Sequence, residues 1–228
     1  MRPVIAAVLP AVAASLLSAG SPAAAAAEQV RLAPAPALDE AADGRRSAIA
    51  YFAGGCFWGV EGVFAHVKGV RSAVSGYGGG AGEGRVSYAR VGTGRTGHAE
   101  TVRIVYDPAQ LSYGTLLRIF FSVIADPTTL NAQGPDRGPQ YRSALFPQSP
   151  EQARVARAYL AQLAASGLWR DPIVTTIEPV RHFQPAESYH QDFMEKNPDN
   201  GYIRYWDAPK LAAFRRLFPA LYRPTPSA

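Results

Sequence analysis

Apolar and polar positions divide most of the chain into short strands and amphipathic helices. The run Ile49, Ala50, Tyr51, Phe52, Ala53 reads as a buried strand that ends at the pair Gly54-Gly55. Beyond it Val60, Val63, Phe64 and Val67 recur at helical spacing, so a helix is expected with Cys56 in its first turn. Residues 70–76 predict a second strand. Residues 98–106 predict a third, with Val102, Ile104 and Tyr106 on one face, Glu100 near its start and a stop at Asp107-Pro108. Over residues 112–124 a helix turns Leu116, Leu117, Phe120 and Ile124 inward, and Asp126-Pro127 ends it. Residues 141–146 predict a strand. Ser149-Pro150-Glu151 then combines an N-cap, a proline at the first position and an acid in the first turn, opening the clearest helix of the chain, which runs to about residue 165. A strand over 173–180 and a short helix over 185–195 follow, and the aromatic-rich tail beyond Asn200 is expected to pack over the body.

Strands interleaved with helices in this way predict an α+β domain, a two-layer sandwich in which helices cover a mixed sheet. Three segments lack periodicity. Residues 28–46, with Pro34 and Pro36, are expected to form a flexible leader. The glycine-dense stretch from Gly76 to Gly84 has neither a Lys-Ser/Thr ending nor a clean Gly-x-Gly-x-x-Gly, so it predicts a mobile loop at a site rim and not a phosphate cradle. Residues 126–140 form a loop long enough to be functional.

Composition narrows the field. At 228 residues and 47 % hydrophobic, the chain can bury one domain, expected over residues 47–222. Residues 1–27 hold one charge, Arg2, an apolar stretch from Val4 to Leu17 and small residues at 23–27, which is the pattern of a secretory signal peptide. The stretch is broken by Pro10 and is shorter than the roughly 20 residues of a membrane span. An exported, periplasmic or secreted protein without stable membrane insertion is therefore expected, as a monomer. The net charge of +5 is spread along the sequence, which argues against a nucleic-acid surface. The four histidines show no ligand spacing, so no metal is expected, and no cofactor.

The chemistry centres on the only cysteine. Cys56 cannot form an internal disulfide, and flanking glycines open the backbone around its sulfur. At a helix N-terminus, unpaired N–H groups and the dipole would lower a thiol pKa that starts near 8.5, which predicts a nucleophile. A buried, inert thiol is the alternative. His98 and His190 leave a cysteine–histidine acyl transferase or hydrolase open as a second enzyme class.

Gly54-Gly55-Cys56-Phe57-Trp58-Gly59-Val60-Glu61 resembles the active-site signature of the A-type peptide-methionine sulfoxide reductases. Further segments resemble the same family in order: Gly97-His98-Ala99-Glu100; Gln133-Gly134 with Asp136-Arg137-Gly138; Gln140-Tyr141-Arg142-Ser143; Ala186-Glu187 with Tyr189-His190-Gln191; and Lys196-Asn197-Pro198. The resemblance implies a two-layer fold with a ferredoxin-like core and reduction of methionine sulfoxide, selective for the S epimer. A sulfoxide is a weak electrophile at sulfur. Displacement by a thiolate needs a proton donor at the oxygen and a pocket for the methyl group. Cys56 would be the nucleophile. Glu100 would be the acid, its carboxyl kept protonated by lost solvation. The resemblance carries over Tyr88 and Tyr141 as hydroxyl donors to the oxygen and Asp136 as a polar site residue. Phe57 and Trp58 would line the methyl pocket, with a plain core role competing for Phe57.

The chain departs from the family in one respect. Many members carry further cysteines that attack the oxidised catalytic sulfur, whereas here Val91-Gly92-Thr93-Gly94 occupies one such loop and no cysteine follows Cys56. The expected partners are methionine sulfoxide in peptides and proteins and an external thiol reductant, thioredoxin-like, glutaredoxin or a small thiol. A chain that merely binds oxidised methionine peptides without turnover is the alternative.

Overall fold

A computed structural model describes residues 30–41, 44–80, 84–179 and 182–227. The expected signal peptide lies outside the described residues, as does part of the glycine-dense loop. The first apolar run is strand β1 (Ala48–Gly54), followed by helix α1 (Phe57–Ala65) and β2 (Val70–Gly78). A short helix α2 (Tyr88–Gly92), which the sequence pattern did not reveal, precedes β3 (Ala99–Tyr106). Helix α3 (Tyr113–Ile119) passes directly into a π-helical turn, Phe120–Ile124. The long loop holds a small hairpin, β4 (Ala132–Gln133) with β5 (Asp136–Arg137), and a 3-10 turn, Pro139–Tyr141. Then come β6 (Ser143–Leu145), α4 (Pro150–Ala165), β7 (Thr176–Ile177), β8 (Phe183–Pro185), α5 (Phe193–Lys196), a second π turn at Ile203–Asp207 and α6 (Ala208–Leu217).

Six strands form one sheet in the order β7-β6-β1-β3-β2-β8, antiparallel except for the parallel β6–β7 pair. The order β6-β1-β3-β2, with α1 and α3 as the two crossovers, is the ferredoxin-like arrangement. Pairing of Phe52 with Val102 and Ala50 with Ile104 fixes the register. Alternation then sends Ala50, Phe52, Val102, Ile104 and Tyr106 into the main core. Phe52 stands at its centre, with ring centroids 5.7 Å from Phe64, 5.8 Å from Tyr113 and 5.1 Å from Phe120. Each such ring contributes about 1.5–3 kcal/mol by burial. Glu100 has the same parity along β3 as Val102, so period two alone puts a carboxyl on the helix-covered face.

The two strongest helix starts follow from their caps: Ser112 accepts the Thr115 N–H and Ser149 the Gln152 N–H through their hydroxyl oxygens. The residues expected as a flexible leader behave differently over 30–40. Ala33 is fully buried. Its N–H donates to Ser122 Oγ at 3.0 Å, and Tyr159 donates to the Pro34 carbonyl at 2.8 Å. Gln162 brackets the segment, accepting from the Ala37 N–H and donating to the Ala35 carbonyl. The segment lacks periodicity because its backbone is satisfied by side chains of the π turn and α4 and not by a ladder of its own.

The helix expected over 185–195 is instead β8, a 3-10 turn (Ser188–His190) and α5, with Asp192 left-handed at φ 54° between them. Gln191 explains the break, because its side-chain amide accepts the Ser75 N–H at 3.1 Å and donates to the Ser75 carbonyl at 3.0 Å, pairing with β2 as a strand residue would. The strand expected over 173–180 is reduced to the two residues of β7.

Candidate active site

Cys56 is set in place by the turn between β1 and α1. Gly55 takes φ +88°, a conformation that favours glycine, and a Cβ at that position would collide with Gln133. Cys56 follows with φ −54° and ψ 120° as the N-cap residue, one step before the helix and not in its first turn. Its side chain is buried, and the thiol pKa is raised well above its ordinary value. Burial is the largest cause, followed by the negative charges of Glu100 and Asp207, while the Trp58 N–H acts the other way. The expected lowering by the helix is thus outweighed. The end of a nine-residue helix offers at most about 2 kcal/mol to a charge, less than complete desolvation removes.

Glu100 answers the same physics from the other side. It is 2 % exposed, and its Oε2 accepts the Phe57 N–H at 3.0 Å. Burial pushes its pKa up to about 8, the Phe57 N–H restrains the rise, and the charges of Asp136 and Asp207 add to it. A neutral Glu100 also withdraws one of the repulsions acting on a Cys56 thiolate. The two groups therefore titrate as a pair.

The expected residues come together around this pair. Tyr88 opens α2, and Tyr141 closes the 3-10 turn before β6. Their hydroxyls lie close enough to influence each other's ionisation, and both feel the charges of Glu100 and Asp136. Burial raises Tyr88 to about 12 and Tyr141 further, so both remain donors at neutral pH. Asp136 sits on β5 and accepts the hydroxyl of Tyr202. Trp58 is half-buried, stacked on Phe193 with centroids 3.8 Å apart, edge-on to Tyr202, and donating from Nε1 to His190 Nδ1 at 3.1 Å. Phe57 is 1 % exposed and packs against Tyr77, Tyr88 and His190, behind the opening and not on its rim.

Four site residues were not singled out from sequence. Glu187 accepts the Tyr77 hydroxyl at 2.6 Å and the Tyr88 N–H at 3.0 Å, anchoring α2. Glu61 is buried one turn after Cys56, accepts from Ser75 at 2.7 Å and from the Asp192 N–H at 3.1 Å, and is raised to about 7 by burial. Tyr202 and Asp207 arrive from the tail, Asp207 through the second π turn. A Cβ at Gly59 would clash with the Asp207 carboxylate, which shows how closely the tail lies on α1. The motifs Val60-Glu61 and Ala186-Glu187 and the aromatic tail were the sequence signals for these.

The histidines give the acyl-transfer alternative no support. His190 Nδ1 is taken by Trp58, and among the described residues no imidazole is hydrogen-bonded to Cys56. Among the described residues no group of three or more His, Cys, Asp or Glu could hold a metal ion.

Residues 48–220 match the peptide methionine sulfoxide reductase family. Over 188 residues the chain is 56 % identical to peptide methionine sulfoxide reductase MsrA 2 of Mesorhizobium japonicum, covering 82 % of this chain and 95 % of the relative. Over 171 residues it is 49 % identical to the MsrA of Polynucleobacter asymbioticus, covering 75 % and 89 %. Among solved structures it is similar to methionine sulfoxide reductase A of Corynebacterium diphtheriae, with TM-score 0.57, 34 % identity and coverage of 74 % and 84 %. The reduced form of Mxr1 from Saccharomyces cerevisiae gives TM-score 0.56, 35 % identity and coverage of 70 % and 91 %. The chain belongs to the peptide methionine sulfoxide reductase family, whose reaction returns methionine sulfoxide to methionine.

Proposed function

We propose that the chain reduces the S epimer of methionine sulfoxide with Cys56 as nucleophile and Glu100 as the acid, and is recycled by an external thiol. The observation that carries the assignment is the buried carboxyl of Glu100, neutral up to about pH 8, bonded to the backbone N–H next to the cysteine. The sulfoxide oxygen takes hydrogen bonds from the Glu100 carboxyl and from the Tyr88 and Tyr141 hydroxyls. Donors aimed at developing charge in a dry site are each worth about 10²–10³ in rate. Trp58 and Tyr202 wall the methyl side, with Phe57 behind them, while Asp136 orders Tyr202. Methyl and oxygen are then held by different walls, which is what selects one epimer.

As Cys56 attacks the sulfoxide sulfur, Glu100 gives its proton to the oxygen and recovers one from the thiol. Oxygen passes to Cys56, the substrate sulfur leaves as the methionine thioether, and Cys56 is left as a sulfenic acid. The substrate is reduced by two electrons and the cysteine oxidised by two. No second cysteine exists to form an internal disulfide, so an outside thiol must restore Cys56. Export through an N-terminal signal belongs to this reading, supported by the charge-poor apolar stretch from Val4 to Leu17, and cell fractionation tests it.

The central test is one turnover without reductant. One equivalent of methionine and one sulfenic acid at Cys56, trapped by a dimedone-type reagent, are expected, and neither from Cys56→Ser. Methionine release from protein of unchanged mass, with no trapped adduct, would overturn the scheme.

A further inference from the structure

Tyr88 stands on a helix of five residues whose N-cap, Ser87, makes no side-chain cap bond. So short a helix has no stability of its own, and the place of the Tyr88 hydroxyl is set by whatever holds the segment from outside. Two side chains beyond Phe183 do so. Gln184, on β8, accepts the Val86 N–H at 2.9 Å and donates to the Val86 carbonyl at 2.6 Å. Glu187, just past β8, divides its carboxylate: Oε1 accepts the Tyr88 N–H at 3.0 Å and Oε2 the Tyr77 hydroxyl at 2.6 Å. Burial works against its ionisation, yet the Tyr77 hydroxyl and the Tyr88 N–H hold its pKa below the ordinary value, so both oxygens accept at neutral pH. Hydrogen bonds to a charged acceptor are about twice as strong as neutral ones.

The Tyr77 end of this link belongs to the site. Gln184, Tyr77 and Glu100 lie side by side across β8, β2 and β3, and residues paired across strands share a face of the sheet. Tyr77 is fully buried, with its ring 6.0 Å from that of Phe57, whose N–H is bonded to Glu100. Tyr88 stacks on the same Phe57 ring at 6.4 Å, and its hydroxyl feels the charges of Glu100 and Cys56. Resting on the reaction scheme above, we infer that Glu187 is a positioning residue: it ties the backbone of Tyr88 to the strand position opposite Glu100, so that hydroxyl and carboxyl meet on one sulfoxide oxygen. Glu187 touches no reacting atom and acts through Tyr88. Misplacing a donor by 1 Å costs about 10²-fold in rate, which is the scale on which such a tether matters.

The hydroxyls of Tyr88 and Tyr141 serve the same oxygen and compensate for each other, so the test removes one at a time. First-turnover rates with the S epimer of methionine sulfoxide are measured for Glu187→Ala in two backgrounds. In Tyr141→Phe, where Tyr88 is the remaining tyrosine donor, Glu187→Ala is expected to slow the step at least tenfold at saturating substrate and to leave the half-saturating concentration unchanged. In Tyr88→Phe, with no hydroxyl left to position, the same change is expected to slow it less than twofold. Glu187→Gln keeps an acceptor for the Tyr88 N–H and is expected to recover most of the rate in the Tyr141→Phe background. An equal factor in both backgrounds, the result of a merely structural role, would overturn the inference, as would no loss in either. A wild-type rate in Tyr88→Phe/Tyr141→Phe would instead overturn the part given to the two hydroxyls in the reaction scheme, on which the inference rests.

Discussion

A single carboxyl sets the pH behaviour of the site. Glu100 has an ordinary pKa of 4.5 in the unfolded chain and about 8 in the folded one. Above pH 8 the acid is ionised, so the first-turnover rate of the wild type should fall as pH rises through that value. Glu100→Gln should be slower by about 10²-fold or more, the scale of a positioned general acid, and should lack that limb. Stopped-flow single-turnover rates across pH 6–9 check both points, and a variant with the wild-type rate and profile would assign Glu100 to structure. The same shift has a cost in stability. Below pH 4.5 the group is protonated in both states; between 4.5 and 8 the unfolded chain releases a proton that the folded chain keeps, so stability falls as pH rises. Glu61, raised to about 7, acts in the same direction over a narrower window. Glu100→Gln should therefore gain in melting temperature relative to wild type as pH goes from 4.5 to 8, and a constant difference would contradict the buried, neutral carboxyl.

At the scale of elements, Asp39 adds a further tie between leader and domain. Its carboxylate accepts the Gly114 N–H at 2.8 Å and the Ser112 hydroxyl, capping the first turn of α3 from outside the helix. Asp39→Ala should cost about 0.5–2 kcal/mol in urea unfolding, the range for a lost cap, and should speed proteolysis within residues 30–41. Unchanged stability would mean that the Asp39 cap contributes nothing to the fold. The second π turn is the other informative element. A widened turn delivers Asp207 to the backbone of α1 at Gly59, and such turns recur at functional sites. Gly59→Ala forces a methyl into that contact and should destabilise the domain by about 1–3 kcal/mol, as overpacking does. Turnover should fall as well, since Asp207 and Tyr202 shift with the tail. A variant of native stability and activity would show that the tail can move freely away from α1.

Across the whole molecule, the tail closes a site that the sheet opens. Tyr202 donates to Asp136, which lies on the hairpin of the long loop, so one hydrogen bond joins the C-terminal region to the site wall. Tyr202→Phe leaves a half-buried carboxylate without its donor and should lower stability by about 1–3 kcal/mol, the worth of a hydrogen bond to a charged group. It should also slow the first turnover. Loss of stability without loss of rate would separate the tail's packing role from any role at the sulfoxide.

The elements with strong local causes were legible in the chain itself. β1, α1, β3 and α4 follow from apolar periodicity, glycine punctuation and the cap at Ser149, and the alternation of Val102, Ile104 and Tyr106 already implied the inward face on which Glu100 stands. The single cysteine and the motifs around it likewise carried the family and its chemistry. What the sequence could not determine were features made by side chains reaching across the fold. Gln191 breaks an expected helix by pairing with β2, and Gln162 and Ser122 hold an aperiodic leader in place. The protonation of the site belongs to the same class. A helix N-terminus predicted a lowered Cys56 pKa, but three carboxyls, Glu100, Asp136 and Asp207, from three separate parts of the chain converge on the same buried volume. Desolvation and like charge depend on what surrounds a group in space, and only the tertiary structure decides that.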